Sequence, residues 1–358
     1  MDNRLTKATS LLQKNHLDAM LVSSIPNITY LTNYSGFSSI EREAYLLITK
    51  NNSYILTDGR YTEAVRDVVG FTLLEISSTK PLKDLLLELA TKHKIKRLGI
   101  EENNLTVSEY KMLKKHFNDL NHFSDIAMLR AVKDSDEMKT IEEACKLGDK
   151  TFSHVLKKIK AGITEKELAF EIEFFIKKAE ADISFKPIVA FGKNAAIPHH
   201  QTSNQRLASS GQFVLLDFGV KIDNYCSDMT RTVFFGKATE EEKKMYQTVL
   251  EAQTKAIQQL SNKTIKASDV DKIARNHITS YGYPTIPHSI GHGIGLEVHE
   301  TPSLSPKSKA ILQLGMVFSV EPGIYLPESG GVRIEDLVTL TPLGTEILTN
   351  APKSFMEI

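Results

Sequence analysis

The chain has 358 residues, 41% of them apolar and 25% charged, and its 44 basic and 44 acidic side chains cancel to a formal net charge of zero. That length predicts roughly two domains with room for buried cores, and the composition excludes a disordered tail, a collagen-like chain and a low-complexity array. Without a basic excess the chain lacks the electrostatic footprint of a nucleic-acid binder or a polybasic membrane anchor. The segment Met1–Leu12 mixes Asp2, Arg4 and Lys7 with polar residues and has no apolar core of the signal-peptide kind. Apolar runs such as Ala44–Ile48 and Phe213–Leu216 fall well short of the roughly 18 residues that cross a bilayer. The only cysteines, Cys145 and Cys226, form no disulfide framework and fit a reducing compartment. A soluble, cytoplasmic protein is expected.

In chain order, Ala19–Ser23, Glu43–Thr49 and Ser53–Thr57 read as strands, the last followed by the turn dipeptide Asp58-Gly59. Pro81–His93 carries Leu82, Leu85, Leu86 and Leu89 at helical spacing, behind a proline suited to a first helical turn. Arg97–Glu101 reads as a short strand and Thr106–Phe117 as a helix, so residues 1–128 are expected to form an α/β domain. Charge then becomes dense, and a long helix starts near Ser135 and runs toward Lys160, opening a second domain over 129–358. Thr164 with Glu167, and Thr239 with Glu242, are capping-box pairs that start two more helices. Phe213–Val220, Tyr225–Phe235, Met316–Leu326 and Val332–Leu340 are strand-like, which gives the second domain an α+β class with antiparallel hairpins.

The chemistry is concentrated in those strands. Asp217 lies inside an apolar run, where a carboxylate is expensive unless paired or metal-bound. Folding the chain back symmetrically about Lys221–Asn224 sets Asp228 opposite Asp217. Two carboxylates facing across a sheet repel, and a cation between them turns that repulsion into binding. Glu321 and Glu335 repeat the device, equidistant from Glu328 in the turn-rich segment Pro327–Gly331. Six of the eleven histidines fall between residues 199 and 299, and His292 sits between Gly291 and Gly293, where glycine lets backbone approach closely. Four carboxylates and one imidazole make a hard site, unlike the thiolate or three-histidine sets of typical zinc sites. Two divalent ions sharing carboxylates use all five; Mn²⁺ suits the donors, with Co²⁺, Fe²⁺ or Zn²⁺ as alternatives. By strand alternation Arg333 shares a face with Glu335, and Cys226 and Thr230 share one with Asp228. Thr230 is expected to support the ligands and Cys226 to pack as a small buried residue.

The ordered set Asp217, Asp228, His292, Glu321 and Glu335 resembles the dinuclear centre of the pita-bread metallopeptidases, which include methionine aminopeptidase, Xaa-Pro aminopeptidase and prolidase. The surroundings are similar too: Leu216-Asp-Phe-Gly219, Ser227-Asp-Met-Thr-Arg-Thr232, Gly291-His-Gly-Ile-Gly-Leu-Glu-Val-His299, Glu321-Pro-Gly323 and Val332-Arg-Ile-Glu-Asp336. Asp58-Gly-Arg-Tyr61 resembles the creatinase-like N-terminal domain of the Xaa-Pro branch, which methionine aminopeptidases lack. The resemblance implies a creatinase-like α/β domain followed by a pita-bread catalytic domain, a homodimer, and peptide substrates with proline second. It also implies that the five residues bind metal and that His199, in Ala195-Ala-Ile-Pro-His199, and His299 contact substrate. Tyr325 and Arg333 would border the metal centre and help bind substrate. Glu321 is expected to be both ligand and proton shuttle, with His199 and His299 holding the scissile carbonyl. One departure stands out: His200 occupies a position where the family commonly has glycine. The expected activity is that of an Xaa-Pro aminopeptidase, with an Xaa-Pro dipeptidase as the alternative. A non-catalytic peptide-binding relative, or a metal-free creatinase-like enzyme, would lack ligands that are all present here.

Overall fold

The structure is a computed structural model that describes residues 3–38, 40–123, 125–209, 211–260 and 265–358. It divides into two compact units, Met1–Arg130 and Ala131–Ile358.

The first unit is built on one six-stranded sheet in the order Thr72–Ile76, Ser53–Asp58, Ala44–Thr49, Ala19–Val22, Arg97–Ile100, Asp119–His122. The central strands Ala19–Val22 and Ala44–Thr49 are buried at every position, which is why they read as unbroken apolar runs. The Leu82–His93 helix turns Leu85, Leu86 and Leu89 inward and stops at Lys94, whose left-handed backbone donates to Ala90 O and Thr91 O. The two outer strands, Thr72–Ile76 and Asp119–His122, are largely exposed and carry polar residues. Asp119–His122 accordingly has little apolar signature in the sequence, whereas Thr72–Ile76 holds Leu73, Leu74 and Ile76 half-buried.

In the second unit three helices begin with complete capping boxes: Asp134 with Glu137, Thr164 with Glu167, and Thr239 with Glu242. Each such N-cap stabilises its helix by about 1 kcal/mol. The strand Gln212–Phe218 lies between Ile188–Phe191 and Met229–Phe235. Its side chains alternate between two cores: Phe213 and Leu215 enter one, and Val214, Leu216 and Phe218 the other. Asp217 continues the Phe213–Leu215 face at the point where that core opens into a cavity. A five-stranded sheet orders Glu300–Leu304, Gly291–Gly293, Val317–Val320, Asp336–Thr341 and Gly344–Ile347, and Gly323–Leu326 pairs with Gly330–Arg333 as a hairpin.

The two carboxylate-bearing ribbons differ in how they meet the symmetric reading. In the second, Val320 pairs with Asp336 and Gly323 with Arg333, so one register centred on Glu328 sets Glu321 opposite Glu335. In the first, Asp217 pairs with Thr230 rather than Asp228. The turn falls one residue later than the symmetric fold assumes: Ile222 pairs with Tyr225 around Asp223-Asn224. Both turn residues are left-handed, with φ of 43° and 72°. Asp and Asn tolerate that conformation best among non-glycine residues, and tight hairpins demand it. Asp228 still falls on Thr230's face, diagonal to Asp217. The runs that read as single strands are also interrupted, at Ser227-Asp228, Glu321-Pro322 and Ile334-Glu335. Three of the four carboxylates sit in these interruptions.

The segment Ala351–Ile358 runs back along Met229–Phe235. Phe234 N donates to Met356 O at 2.9 Å, and Phe234 O accepts from Ile358 N at 2.9 Å. Buried Arg231 donates to Ala351 O, to the backbone carbonyl of Glu335, and to Asp336 Oδ1 at 2.6 Å. Asp336, fully buried, also accepts from Lys353 and Gln253. No helix among the described residues is long and apolar enough to cross a membrane.

Candidate metal centre and active site

The interrupted ribbons and the glycine-flanked histidine converge on one cavity of about 610 Å³, lined by Asp217, Asp228, His292, Glu321 and Glu335. Ligating atoms of Asp228, His292 and Glu335 all lie within 4.8 Å of one another. His292 Nε2 stands 3.2 Å from Glu321 Oε1 and 3.7 Å from Asp228 Oδ2. Its Nδ1–H donates to Gly293 O at 3.1 Å, which aims Nε2 at the carboxylates. Glycine is required on both sides: a Cβ on Gly291 would lie 2.0 Å from Ser319 O, and one on Gly293 2.2 Å from Thr301 O.

Electrostatically the cluster carries more negative charge than its burial supports. Burial pushes Asp228 well above the usual carboxylate range, and Glu335, Asp217 and Glu321 add to it. Burial and the charge of Glu321 and Asp217 push Glu335 up to about 8. Burial also raises Asp217, with Arg333 opposing it. Glu321 goes the other way: burial would raise it, but the hydrogen bond and charge of His292 bring it down to about 2. Against its own burial, His292 is raised to about 9, chiefly by Glu321. Among the described residues Asp228 Oδ1 and Glu335 Oε1 are buried with no hydrogen-bond partner, which costs about 1–3 kcal/mol for each such atom. Two unpartnered oxygens, an imidazole nitrogen aimed at them and surplus negative charge fit divalent cations that displace protons and bind through oxygen and nitrogen.

A second layer fixes these groups. Thr230 Oγ1 donates to Glu335 Oε2 at 2.7 Å and accepts from Arg333 Nε at 3.1 Å. Arg333 also donates to Asp217 Oδ2 at 2.6 Å, Tyr325 OH at 3.0 Å and Pro198 O at 3.3 Å. Ser319 Oγ accepts from His292 N and donates to Glu321 Oε1, both at 3.0 Å. Arg333 and Thr230 thus take the places that strand alternation predicts. Cys226 packs among Ile141, Cys145, Val317 and Leu337 instead of lining the cavity.

His199 and His299 both line the cavity, and the His299 ring lies 4.3 Å from that of His292. His200 faces the other way, with Nε2 2.8 Å from buried Glu165 Oε2. One wall residue, His288, escapes the sequence reading. Its Nδ1–H donates to Ser289 O at 2.7 Å, so Nε2 accepts from Tyr325 OH at 2.7 Å. Burial lowers the His288 pKa and raises that of Tyr325 to about 12, which keeps the imidazole neutral and the phenol protonated. Arg275, paired with Asp271 at 2.7 Å, holds the backbone beneath by donating to Ile286 O and to His288 O. The available signal was the position of His288, one helical turn's count before His292 in the same histidine cluster. Its partners come from a hairpin far along the chain.

Comparison with known proteins agrees with this geometry. Residues 139–342 match metallopeptidase family M24, and residues 4–132 match the creatinase/prolidase N-terminal domain. The chain belongs to metallopeptidase family M24. It is 34% identical to an Xaa-Pro dipeptidase of Pyrococcus horikoshii over 361 aligned residues, 99% of each chain. An Xaa-Pro dipeptidase structure from Bacillus anthracis matches with a TM-score of 0.91 at 34% identity, covering 99% of both chains. An X-Pro aminopeptidase structure from Thermotoga maritima matches with a TM-score of 0.83 at 34% identity, covering 96% of this chain and 98% of its own. The fold is therefore a creatinase-like N-terminal domain followed by a pita-bread catalytic domain, and the protein is a metal-dependent peptide hydrolase, as the motifs implied.

Proposed function

We propose that this chain is a prolidase, hydrolysing Xaa-Pro dipeptides, with Asp217, Asp228, His292, Glu321 and Glu335 holding two divalent ions. The observation that carries the metal assignment is the pair of unpartnered buried oxygens, Asp228 Oδ1 and Glu335 Oε1, within a cluster of like charges. Mn²⁺ suits this donor set, and Co²⁺, Fe²⁺ and Zn²⁺ are the alternatives. The dipeptidase reading draws on relatives of that name that match the chain end to end, and it displaces the aminopeptidase expected from the sequence as the first choice.

When bound, the divalent ions supply Lewis acidity, bringing the pKa of a water toward neutrality and polarising a carbonyl. The remaining work falls to side chains. Ser319 Oγ donates to Glu321 Oε1, so Oε2 is the oxygen that receives a proton from the attacking water and returns it to the departing proline nitrogen. His199 and His299 donate to the substrate carbonyl oxygen from the cavity wall. Tyr325 and Arg333 hold the substrate's position beside Asp217.

The aminopeptidase reading is kept as a second possibility on one observation. Arg333 is the sole Lys or Arg among the described residues lining the cavity, and Asp217, Tyr325 and Pro198 already engage its guanidinium. A dipeptide's free carboxylate would then lean on histidines. Turnover of Ala-Pro, Ala-Pro-amide and Ala-Pro-Ala with Mn²⁺ separates the readings. Preference for Ala-Pro supports the prolidase, preference for the two blocked substrates supports the aminopeptidase, and hydrolysis of none overturns both. A cytoplasmic homodimer completes the proposal. Two buried, unpaired cysteines support the reducing compartment, and light scattering that reads the 40.0 kDa of a single chain would exclude the dimer.

A further inference from the structure

Glu165 opens the helix Glu165–Lys178, and its side chain is completely buried. A buried carboxylate needs a full set of donors, and this one has five. Phe191 N at 2.9 Å and Asn194 Nδ2 at 2.8 Å reach Oε1. His200 Nε2 at 2.8 Å, Ser203 N at 2.8 Å and Ser203 Oγ at 2.6 Å reach Oε2. Every donor belongs to the segment 191–203, which carries His199 into the cavity. The same segment is fastened again by Glu165 N to Gln205 O at 3.0 Å and Lys166 N to Ser203 O at 3.1 Å. On the cavity side Arg333 grips it at Pro198 O.

Between these two grips His199 is exposed and has no hydrogen bond from its own side chain among the described residues, so the backbone that carries it sets where its ring starts from. A glycine at 200 would leave the carboxylate without a side-chain partner next to His199. His200 supplies one, and hydrogen bonds to an ionised acceptor are among the stronger ones.

We propose that the Glu165–His200 contact positions His199, setting the substrate-facing imidazole from behind through a buried carboxylate. Both residues are positioning residues, since neither touches the cavity's ligand groups. The inference rests on the peptidase reading above, in which His199 contacts substrate.

The test is a double-mutant cycle on the metal-loaded, full-length protein. His200→Phe keeps the ring but loses the donor. It is expected to lower kcat on the order of tenfold to a hundredfold, as small misplacements of catalytic groups do, with KM changed far less. His200→Gln retains an N–H for Glu165 and restores most of the loss. In a His199→Ala background, His200→Phe adds no further loss. Amide hydrogen exchange across residues 192–204 quickens in His200→Phe while bound metal, measured by plasma mass spectrometry, stays at the wild-type level. Equal losses from His200→Phe with and without His199, or unchanged exchange, overturn the proposal. Should His200→Phe not fold, Ser203→Ala removes a donor to the same oxygen and carries the same cycle. Failure of the wild type to cleave any prolyl peptide would sink the peptidase reading instead, and the exchange measurement then still decides whether His200 holds the segment.

Discussion

Thr230→Val isolates what one hydroxyl contributes to this centre. Thr230 is completely buried, and valine has nearly its shape, so the substitution removes two hydrogen bonds and opens no cavity. The partners are a cation and, in the metal-free protein near pH 7, a carboxyl that holds a proton: Arg333 Nε loses its acceptor at 3.1 Å, and Glu335 Oε2 its donor at 2.7 Å. Arg333 retains Asp217, Tyr325 and Pro198. Glu335 has no other side-chain partner, because Oε1 is already unpartnered. A hydrogen bond to a charged group contributes about 1.5–3 kcal/mol and a neutral one about 0.5–1.5 kcal/mol, and the two share one hydroxyl, so a loss of about 3 kcal/mol is expected in the metal-free protein. For a unit of this size that lowers Tm by about 6–12 °C. The chain has no tryptophan, so the melt is followed by circular dichroism after exhaustive chelation. Thr230→Ser restores the hydroxyl and most of the stability. Metal loading shrinks the deficit, because Glu335 then has another partner. A Thr230→Val protein that melts with the wild type, or a Thr230→Ser protein that melts as low as Thr230→Val, refutes the assignment.

Other expectations follow from the same coordinates. Glu335 is raised from 4.5 to about 8, so in the metal-free protein the folded state holds a proton that the unfolded state has released. Its contribution to stability therefore falls as pH climbs from about 4.5 to about 8. Metal displaces that proton, so the Tm gap between loaded and metal-free protein should widen between pH 5.5 and 8, and a constant gap would contradict the picture. Asp336→Asn strands buried Arg231 and weakens the hold on Lys353. Urea unfolding should show a loss of about 3–5 kcal/mol, and one under about 1 kcal/mol would show that the network is not a unit. Arg275→Met releases the carbonyls of Ile286 and His288. Activity should drop roughly tenfold with bound metal unchanged, and wild-type kinetics would show that His288 is held by other means.

How much could be read without coordinates differs between the two ribbons. Glu321 and Glu335 were legible because a single register runs through both halves of their ribbon, so counting from Glu328 suffices. The pairing of Asp217 was not, because Asp223 and Asn224 take left-handed backbone and move the turn by one residue. Periodicity also reports apolar burial and is blind to where a strand gives way, so the interruptions at Asp228, Glu321 and Glu335 passed for continuous strand. Of the outer strands of the first unit, Asp119–His122 went unseen because it is mostly polar, and Thr72–Ile76 because a five-residue run holding Glu75 between Leu74 and Ile76 has no strict alternation. His200 looked anomalous because its partner, Glu165, lies 35 residues earlier and reads locally as an ordinary helix-start acid. Motif spacing picked out five residues that line one cavity, whereas the supports reached through tertiary contacts, His288 with Tyr325 and Glu165 with His200, needed three dimensions.

The returning segment Ala351–Ile358 has a consequence for biosynthesis. Arg231 grips both the Glu335 carbonyl and a carbonyl 120 positions further on, at Ala351. On the ribosome, the aspartate ribbon therefore emerges long before the residues that brace it. A nascent chain that has exposed Asp217 and Asp228 but not yet Ala351 displays these carboxylates without the frame that Arg231 and the late stretch complete.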